Sequence, residues 1–192
     1  MEFHSDDYYI NNVLNGDAKA YAGLVEKHKH MVFTVALRIV RNREDAEEIS
    51  QDVFIKAFQS LGKFKQESKF STWLYKITYN TSISKTRKKK FETTPLDVYV
   101  VENYTLNEIF ENLDKLEANE QKSIVQKLFN SLNPDESTLI TLYYYQHVKT
   151  DEIAEITELS QSNVKVKLHR IRQKMHNELQ KLISNELKGQ YT

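Results

Sequence analysis

The chain has 192 residues, 40% of them apolar and 28% charged, and its acids and its Lys and Arg residues are equal in number. This composition is typical of a soluble globular protein with one ordinary domain or two small ones. The absence of Cys excludes disulfides, thiolate nucleophiles and Cys-ligated zinc. No apolar run approaches the roughly 20 residues of a membrane span. The start MEFHSDDYY is too acidic and polar for a signal peptide, so we predict a cytoplasmic protein.

Apolar residues recur at helical spacing along most of the chain, and Gly and Pro are few, so we predict an all-α fold. Residues 1–90 are expected to form one helical domain. Its first helix should stop at Gly16, which favours the left-handed conformation, and Asp17 and Asn42 have side chains suited to capping the next two. The four helices are expected over 7–14, from 17 to about 40, from 42 to about 61, and from 70 to about 89.

Residues 91–118 contain Pro95 and show no clean period, so we predict a flexible linker with a short helix from about Leu106. A second small helical domain is expected over 119–186, followed by a tail of residues 187–192. Within it, Asn133-Pro134-Asp135-Glu136 has the pattern of a helix start, with Asn at the cap and Pro at the first helical position.

The second domain ends in a pattern typical of a helix-turn-helix, with two short helices over 151–159 and from 162 to about 182. Thr150 is expected to cap the first helix, and Ser160 or Ser162 the second. The inward stripe of the second helix should be Val164, Leu168, Ile171 and Met175. The opposite face offers Gln161, Asn163, Lys165, Val166, His169 and Arg170, with Lys167, Arg172 and Lys174 placed to contact phosphates. An ordinary amphipathic hairpin with a solvated basic face remains an alternative.

Charge is distributed unevenly along the chain, and such a distribution indicates which kinds of partner the protein could bind. Residues 62–90 contain eight Lys, one Arg and a single acid, whereas residues 91–133 contain eight acids and three Lys. Residues 165–174 contain five cations and no acid. Two basic segments therefore flank an acidic middle.

The fourth helix combines cations with aromatic residues. Base–aromatic stacking contributes about 1–3 kcal/mol per base, so one or two captured bases could offset local melting of a duplex. A loop over 64–69 could form the wall of a base pocket. Trp73 has a second interpretation as a core residue. The acids of the third helix could likewise be an ordinary solvated face rather than a protein-binding surface.

Four blocks of the sequence together resemble the extracytoplasmic-function group of bacterial RNA polymerase sigma factors. They are NGDAKAYAGLVEKH, DAEEISQDVFIKAF, KFSTWLYKITYN and EIAEITELSQSNVKVKLHRIRQKM, and they occur in the family's order. The resemblance covers almost the whole chain. It implies two helical domains, called regions 2 and 4, joined by a flexible linker.

The resemblance also implies partners and site residues. The helix that docks on core RNA polymerase would use Asp45, Glu48, Gln51, Asp52 and Phe54. The minus-ten promoter element would be bound by Phe64, Lys65, Lys69, Trp73, Lys76, Tyr79, Asn80, Arg87 and Lys88. The minus-thirty-five element would be read by Gln161, Ser162, Asn163, Lys165, Val166, Lys167, His169 and Arg170. An anti-sigma factor is a further implied partner.

The sequence departs from the family at two places. Glu158 stands where the turn of the helix-turn-helix usually has Gly, so we expect a slightly remodelled turn. Asn163 and Val166 stand where small hydroxyl residues are common, so the promoter preference cannot be copied from relatives.

No pattern indicates catalysis, a cofactor or a small-molecule substrate. His28 and His30 are two residues apart and point to different sides of a helix, which argues against a shared metal. Two other functions stay open from the residues alone. One is a self-sufficient helix-turn-helix regulator, and the other is a helical protein-interaction module without a role in nucleic-acid binding.

Overall fold

A computed structural model describes residues 4–88 and 118–189, and within these ranges the chain forms helices and no strands. The all-α prediction is therefore confirmed. The predicted linker, including the helix expected from about Leu106, lies outside the described residues.

The N-terminal domain is built from four α-helices. Ser5 caps the first through a 3.2 Å bond from the Tyr8 N–H, and Asn42 accepts the Asp45 N–H at 2.8 Å at the start of the third. Gly16 has φ +102°, as its predicted role requires. Asp17 instead caps a 3-10 turn, Ala18–Ala20, that leads into the second helix. The helices are α1 (Asp6–Leu14), α2 (Tyr21–Val40), α3 (Arg43–Ser60) and α4 (Phe70–Lys88).

The core of this domain lies where α2, α3 and α4 pack on one another. Its largest side chains come from helical positions that recur every three or four residues, so each helix buries one stripe. The cluster includes Ile10, Leu24, Val32, Ile49, Val53, Leu61, Phe70 and Leu74.

The C-terminal domain begins with two helices joined at a reciprocal cap. The Asn133 side chain accepts the Glu136 N–H at 2.9 Å, and the Glu136 carboxylate accepts the Asn133 N–H at 2.8 Å. The predicted helix start is thus confirmed. The elements are α5 (Ala118–Ser131), α6 (Pro134–Ile140) with a π-helical extension (Thr141–Tyr145), α7 (Thr150–Thr157) and α8 (Gln161–Gly189).

The last helix is longer than predicted. It has 29 residues and continues through the expected end near Leu182 and the expected domain boundary at 186. Residues 161–188 contain neither Gly nor Pro, so nothing in this segment ends the helix. Leu179 extends the predicted inward stripe by one more buried position.

The two domains pack directly against each other. Val35, Ile39 and Tyr75 of the N-terminal domain belong to the same buried cluster as Leu139 and Leu142 of the C-terminal domain. Helix α2 packs on α6, and α4 packs on α7. This contact decides which surfaces of α4 are open, and no local sequence pattern predicts it.

Candidate nucleic-acid interface

The helix-turn-helix is formed by α7 and α8. Glu158, at the predicted departure from the family pattern, adopts the left-handed conformation itself, with φ 59° and ψ 28°. The turn therefore keeps the geometry that a Gly would give, at the energetic cost of a side chain in that region. The predicted remodelling of the turn is not seen.

Capping at the two helices differs in part from the prediction. Helix α7 begins at Thr150, so this residue is not its cap, and Glu152 instead accepts the backbone N–H of Lys149 at 3.3 Å. Ser160 precedes α8 and accepts the Asn163 N–H at 3.2 Å, as one of the two predicted options. Thr150 accepts a 3.2 Å bond from the Gln161 side chain, which links the starts of the two helices.

The outer face of α8 is open along its first three turns. The inward residues Val164, Leu168, Ile171 and Met175 are all buried, as predicted. The opposite face combines amide, hydroxyl and cationic groups at the N-terminal end of a helix, which suits contacts to base edges and phosphates. Its exposed members are Gln161, Ser162, Asn163, Lys165, Val166, Lys167 and Arg170, and His169 is half-buried.

Two cations expected at phosphates are held inside the C-terminal domain instead. Arg172 Nη1 donates to the Tyr144 hydroxyl at 3.1 Å, and Lys174 Nζ lies 2.8 Å from the Glu136 carboxylate. These side chains are engaged within the C-terminal domain, so their contact with phosphates stays a prediction. Tertiary partners decide this engagement, and they cannot be read from helical spacing.

The loop before α4 carries an aromatic cluster. The ring of Phe64 lies 5.1 Å from that of Trp73 and 5.8 Å from that of Phe70, measured between centroids. Phe70 is buried, whereas Phe64 and Trp73 are half-buried. Trp73 therefore packs against the core cluster with one part and faces the loop with another, which agrees with its interpretation as a core residue, and its role in binding a base stays a prediction. Lys65 and Asn80 are exposed, and the side chains of Arg87 and Lys88 lie outside the described part.

Three further residues expected at the minus-ten element contact the C-terminal domain, Lys69 just before α4 and Lys76 and Tyr79 within it. Lys69 Nζ lies 3.3 Å from Glu152, and Lys76 Nζ lies 3.3 Å from Glu158. The Tyr79 hydroxyl donates to Asp135 at 3.0 Å. In this conformation part of the face predicted to bind DNA is a domain–domain contact.

Two further polar contacts reinforce that boundary. Thr72, which is 2% exposed, donates to Glu152 at 3.3 Å, and the Tyr75 hydroxyl donates to Gln146 at 2.9 Å. Burial, together with the nearby negative charge of Glu152, raises the pKa of Tyr75 above its usual range. The hydroxyl therefore stays protonated and remains a donor.

The polar residues of α3 that are expected to dock on core polymerase fall into two groups. Lys85 of α4 lies 2.6 Å from Glu48 and 3.2 Å from Asp45, and the hydrogen bond to Glu48 is the main reason that the pKa of Lys85 is raised. These two acids therefore also hold α3 to α4. Gln51 and Asp52 are exposed.

Phe54 differs from the other residues expected to dock on the polymerase, because it is only 8% exposed and belongs to the core cluster. Its backbone oxygen accepts the Tyr21 hydroxyl at 2.7 Å, and burial raises the pKa of Tyr21. Phe54 forms the floor of a groove rather than an exposed anchor. A buried ring and an exposed ring can occur at the same helical spacing, so the spacing of apolar residues did not distinguish the two cases.

Two residues beside this groove were missed by the sequence analysis. Ile55 is 55% exposed and Phe58 is 42% exposed. With Ala18, Tyr21, Ala22 and Phe54 they line an apolar groove of about 470 Å³ between the start of α2 and the end of α3. An exposed apolar cluster next to exposed Asp52 is typical of a protein-binding surface. The only signal in the sequence was an apolar pair outside the buried stripe of α3.

Across residues 4–88 and 118–189, no group of three or more His, Asp and Glu side chains is arranged to hold a metal ion. His28 instead bonds to Asp6 at 3.1 Å. None of the helices in those same two ranges is long and apolar enough to cross a bilayer.

Comparison with known proteins agrees with this architecture. The family model for sigma-70 region 2 matches residues 24–92, and the model for sigma-70 region 4 matches residues 122–175. The sigma factor SigW of Bacillus subtilis is 31% identical over 184 residues, covering 90% of this chain and 96% of SigW. The sigma-E factor of Escherichia coli is 30% identical over 185 residues, covering 93% and 96%.

Solved structures share the fold. CnrH in complex with the cytosolic domain of CnrY matches with a TM-score of 0.61 at 19% identity, over 92% of this chain and 98% of that one. The sigma factor RpoE from Bartonella quintana, in complex with the anti-sigma factor NepR, matches with a TM-score of 0.58 at 17% identity, over 84% and 98%.

The fold combines a helix-turn-helix with a second helical domain that carries acidic and basic surfaces. Such a protein belongs to the class of transcription factors that combine DNA binding with protein docking. Within that class, the chain is a member of the extracytoplasmic-function sigma factors of bacterial RNA polymerase.

Proposed function

We propose that this sigma factor works through three separate faces, one for core RNA polymerase and two for promoter DNA. The observation that carries the proposal is the separation of these faces on the folded chain: an acidic and apolar surface on α3, an aromatic and cationic surface at the 64–69 loop and α4, and a polar and cationic surface on α8. Each has the chemistry that its partner requires.

Core polymerase would dock on the exposed side of α3. Asp52 and Gln51 provide polar contacts, and Ile55 and Phe58 provide apolar area next to them. Asp45 and Glu48 support this face from the Lys85 side, and Phe54 supports it from below. Apolar anchors surrounded by polar groups are the usual anatomy of a protein interface.

The minus-ten element would be bound and opened at the loop before α4. Phe64 and Trp73 offer ring surfaces to an unstacked base, and Lys65, Lys69 and Lys76 offer charge to the backbone of the displaced strand. Tyr79, Asn80, Arg87 and Lys88 would continue this face along α4. Melting is local, because stacking of one or two bases can offset only a step or two of unstacking.

The minus-thirty-five element would be read in the major groove by α8. Gln161, Ser162 and Asn163 lie at the N-terminal end of the helix, where base edges are reached first. Val166 offers apolar contact to a thymine methyl group. The remaining members of this face, Lys165, Lys167, His169 and Arg170, would contact phosphates and adjacent bases.

The protein would act in the cytoplasm, where core polymerase and DNA are present, and would itself catalyse no reaction and use no cofactor. An anti-sigma factor is the expected inhibitor. The structural relative CnrH is bound to the cytosolic domain of CnrY, and RpoE is bound to the anti-sigma factor NepR, which supports this expectation. Affinity purification from native cells, followed by mass spectrometry, tests for such a partner.

Run-off transcription with purified core polymerase tests the proposal. The wild-type chain is expected to create sharply positioned starts that share two spaced elements. Asp52→Lys should lower affinity for core polymerase without loss of the fold, whereas Glu155→Lys, at an exposed position of α7, should leave it unchanged. An absence of new starts with a matched core enzyme would contradict the promoter role.

The same preparation tests the alternative of a self-sufficient regulator. The open outer face of α8 favours this alternative, because that face can contact a DNA duplex without any rearrangement of the domains. Tight, sequence-specific duplex binding without core polymerase would support the alternative. Weak binding that becomes specific only with core polymerase would support the sigma factor.

A further inference from the structure

The covered face of α4 is matched by carboxylates from the C-terminal domain. Glu152 meets both Lys69 and Thr72, each at 3.3 Å, and Glu158 meets Lys76 at 3.3 Å. Asp135 accepts the Tyr79 hydroxyl at 3.0 Å. Three acids of one domain, from α6, from α7 and from the turn after α7, thus lie against one face of a helix in the other.

We propose that these acids occupy the positions that DNA phosphates take on α4, so that the domain contact is autoinhibitory and closes the minus-ten face in the free protein. A carboxylate and a phosphate oxygen make the same kind of charge-assisted bond to Lys and to a hydroxyl. Both cannot hold one ammonium group at one place. This inference rests on the proposed role of α4 in DNA binding.

The burial of side chains at this contact indicates that the C-terminal domain excludes DNA from this part of α4. Thr72 and Tyr75 are 2% and 4% exposed, and Tyr79 and Ile83 pack against the apolar cluster shared by the two domains. A DNA strand could not reach this part of α4 unless the C-terminal domain moved away. Since the contact includes apolar area as well as charge, it does not depend on the ion pairs alone.

The closure is selective. Gln51, Asp52, Ile55 and Phe58 on α3 remain exposed, and so does the outer face of α8. The closed form can therefore meet core polymerase and duplex DNA while its minus-ten face is covered. Such an arrangement delays capture of single-stranded DNA until another contact has separated the domains.

The contact is also built to be reversible. Lys69 is 70% exposed and Glu158 is 69% exposed, so both ion pairs are weakened by solvent and salt. A polyanion that offers several phosphates at once can replace such pairs, because it releases counterions as it binds.

Zero-length cross-linking of the wild-type chain tests the closed form in solution. A carbodiimide joins an amine to a carboxylate in direct contact, with loss of water, and peptide mass spectrometry then identifies the pair. We expect amide bonds between Lys69 and Glu152 and between Lys76 and Glu158, and we expect a single-stranded oligonucleotide of mixed sequence to suppress both. The control is Lys174 with Glu136, 2.8 Å apart within the C-terminal domain, whose cross-link should persist.

A pair of double variants tests whether the contact blocks DNA. Glu152→Gln with Glu158→Gln removes the two carboxylates, while the Gln side chain can still accept the cap bond at the start of α7. Asp151→Asn with Glu155→Gln makes the same charge change at exposed positions of α7 that form no ion pair with the rest of residues 4–88 and 118–189. We expect the first variant to bind the oligonucleotide about fivefold more tightly than the second.

The outcomes separate this inference from the proposed function. Absent interdomain cross-links, or equal affinities of the two variants, would overturn autoinhibition even if run-off transcription succeeds. If the cross-links are present but neither variant binds the oligonucleotide, both the autoinhibition and the proposed role of α4 in DNA binding would be overturned. Lost transcription with intact cross-links and a tighter first variant would contradict only the sigma role.

Discussion

Nη2 of Arg41 donates a hydrogen bond to the backbone oxygen of Phe129 at 3.2 Å, and this bond joins the end of α2 to the end of α5. The same guanidinium also donates to the backbone oxygens of Asn130 and Leu132. Arg41 is left-handed, with φ 56°, and this conformation turns its side chain toward the other domain. Burial lowers its pKa, whereas the charge of Glu136 acts to raise it. One side chain thus satisfies the carbonyls that end a helix of the neighbouring domain.

Arg41→Lys should weaken the contact between the domains. Lysine keeps the charge but cannot direct several donors to three carbonyls, so we expect the free energy of unfolding to fall by about 1–2 kcal/mol. Urea denaturation followed by circular dichroism measures this. Arg43→Lys is the control, because the exposed pair of Arg43 with Glu47 and its 5.6 Å approach to the Phe33 ring both stay within the N-terminal domain, and it should change stability by less than about 0.5 kcal/mol. Equal effects of the two substitutions would contradict the role assigned to Arg41.

Ile55→Gln should lower affinity for core polymerase about tenfold with little change in stability. The side chain is 55% exposed and contributes apolar area at the edge of the α3 groove, which a partner would bury. Competition binding against the wild-type chain measures the loss. Leu14→Gln, at a position 49% exposed on α1, is the matched control and should leave the affinity unchanged. An unaffected Ile55→Gln variant would exclude this groove from the docking surface.

Asp6 should make the N-terminal domain sensitive to acid. Burial acts to raise its pKa, but bonds from His28 and from Lys27, at 3.1 Å and 2.7 Å, outweigh burial and lower it. A lowered pKa in the folded state contributes stability above the unfolded pKa, and that stability is lost as the pH falls. We therefore expect the free energy of unfolding to drop less steeply between about pH 5 and pH 3 in Asp6→Asn than in the wild type. Asp7→Asn, at an exposed neighbour, should retain the steeper dependence.

Lys165→Ala and Lys174→Ala should have different consequences although both remove a cation from α8. Lys165 is exposed on the outer face, so its loss should weaken DNA binding in any sequence and lower the salt slope by about one. Lys174 pairs with Glu136 inside the domain, so its loss should lower the melting temperature and leave the slope unchanged. Titrations with duplex DNA at several salt concentrations, together with thermal denaturation, distinguish them. The reverse result would show that the face of α8 has been assigned wrongly.

Glu158→Gly should stabilise the helix-turn-helix by about 1 kcal/mol, because Gly adopts the left-handed conformation without the cost of a side chain. The same change removes the partner of Lys76, so the interdomain cross-links should decrease while the melting temperature of the C-terminal domain rises. Glu155→Gly, in the interior of α7, should instead destabilise by about 1 kcal/mol. Stabilisation by both substitutions would contradict the assigned role of the turn.

The sequence by itself determined the local elements and the family of this protein. Helical spacing placed the buried stripe of α8 from Val164 to Met175, and the Asn133 cap and the Gly16 turn followed from residue type, since caps and turns depend on neighbours along the chain. The outer face of α8 was predicted for the same reason.

Only the tertiary structure decided which faces are open. Arg172 and Lys174 look like phosphate contacts on a helical projection, yet each has a partner inside its own domain. Phe54 and Phe58 have equivalent spacing signals, but one is buried and the other exposed. The acids that cover α4 are distant in sequence, since Asp135 lies 56 residues from Tyr79 and Glu152 lies 80 residues from Thr72. Periodicity identifies the side of a helix, but contact between distant segments depends on the packing of whole domains, which no local pattern encodes.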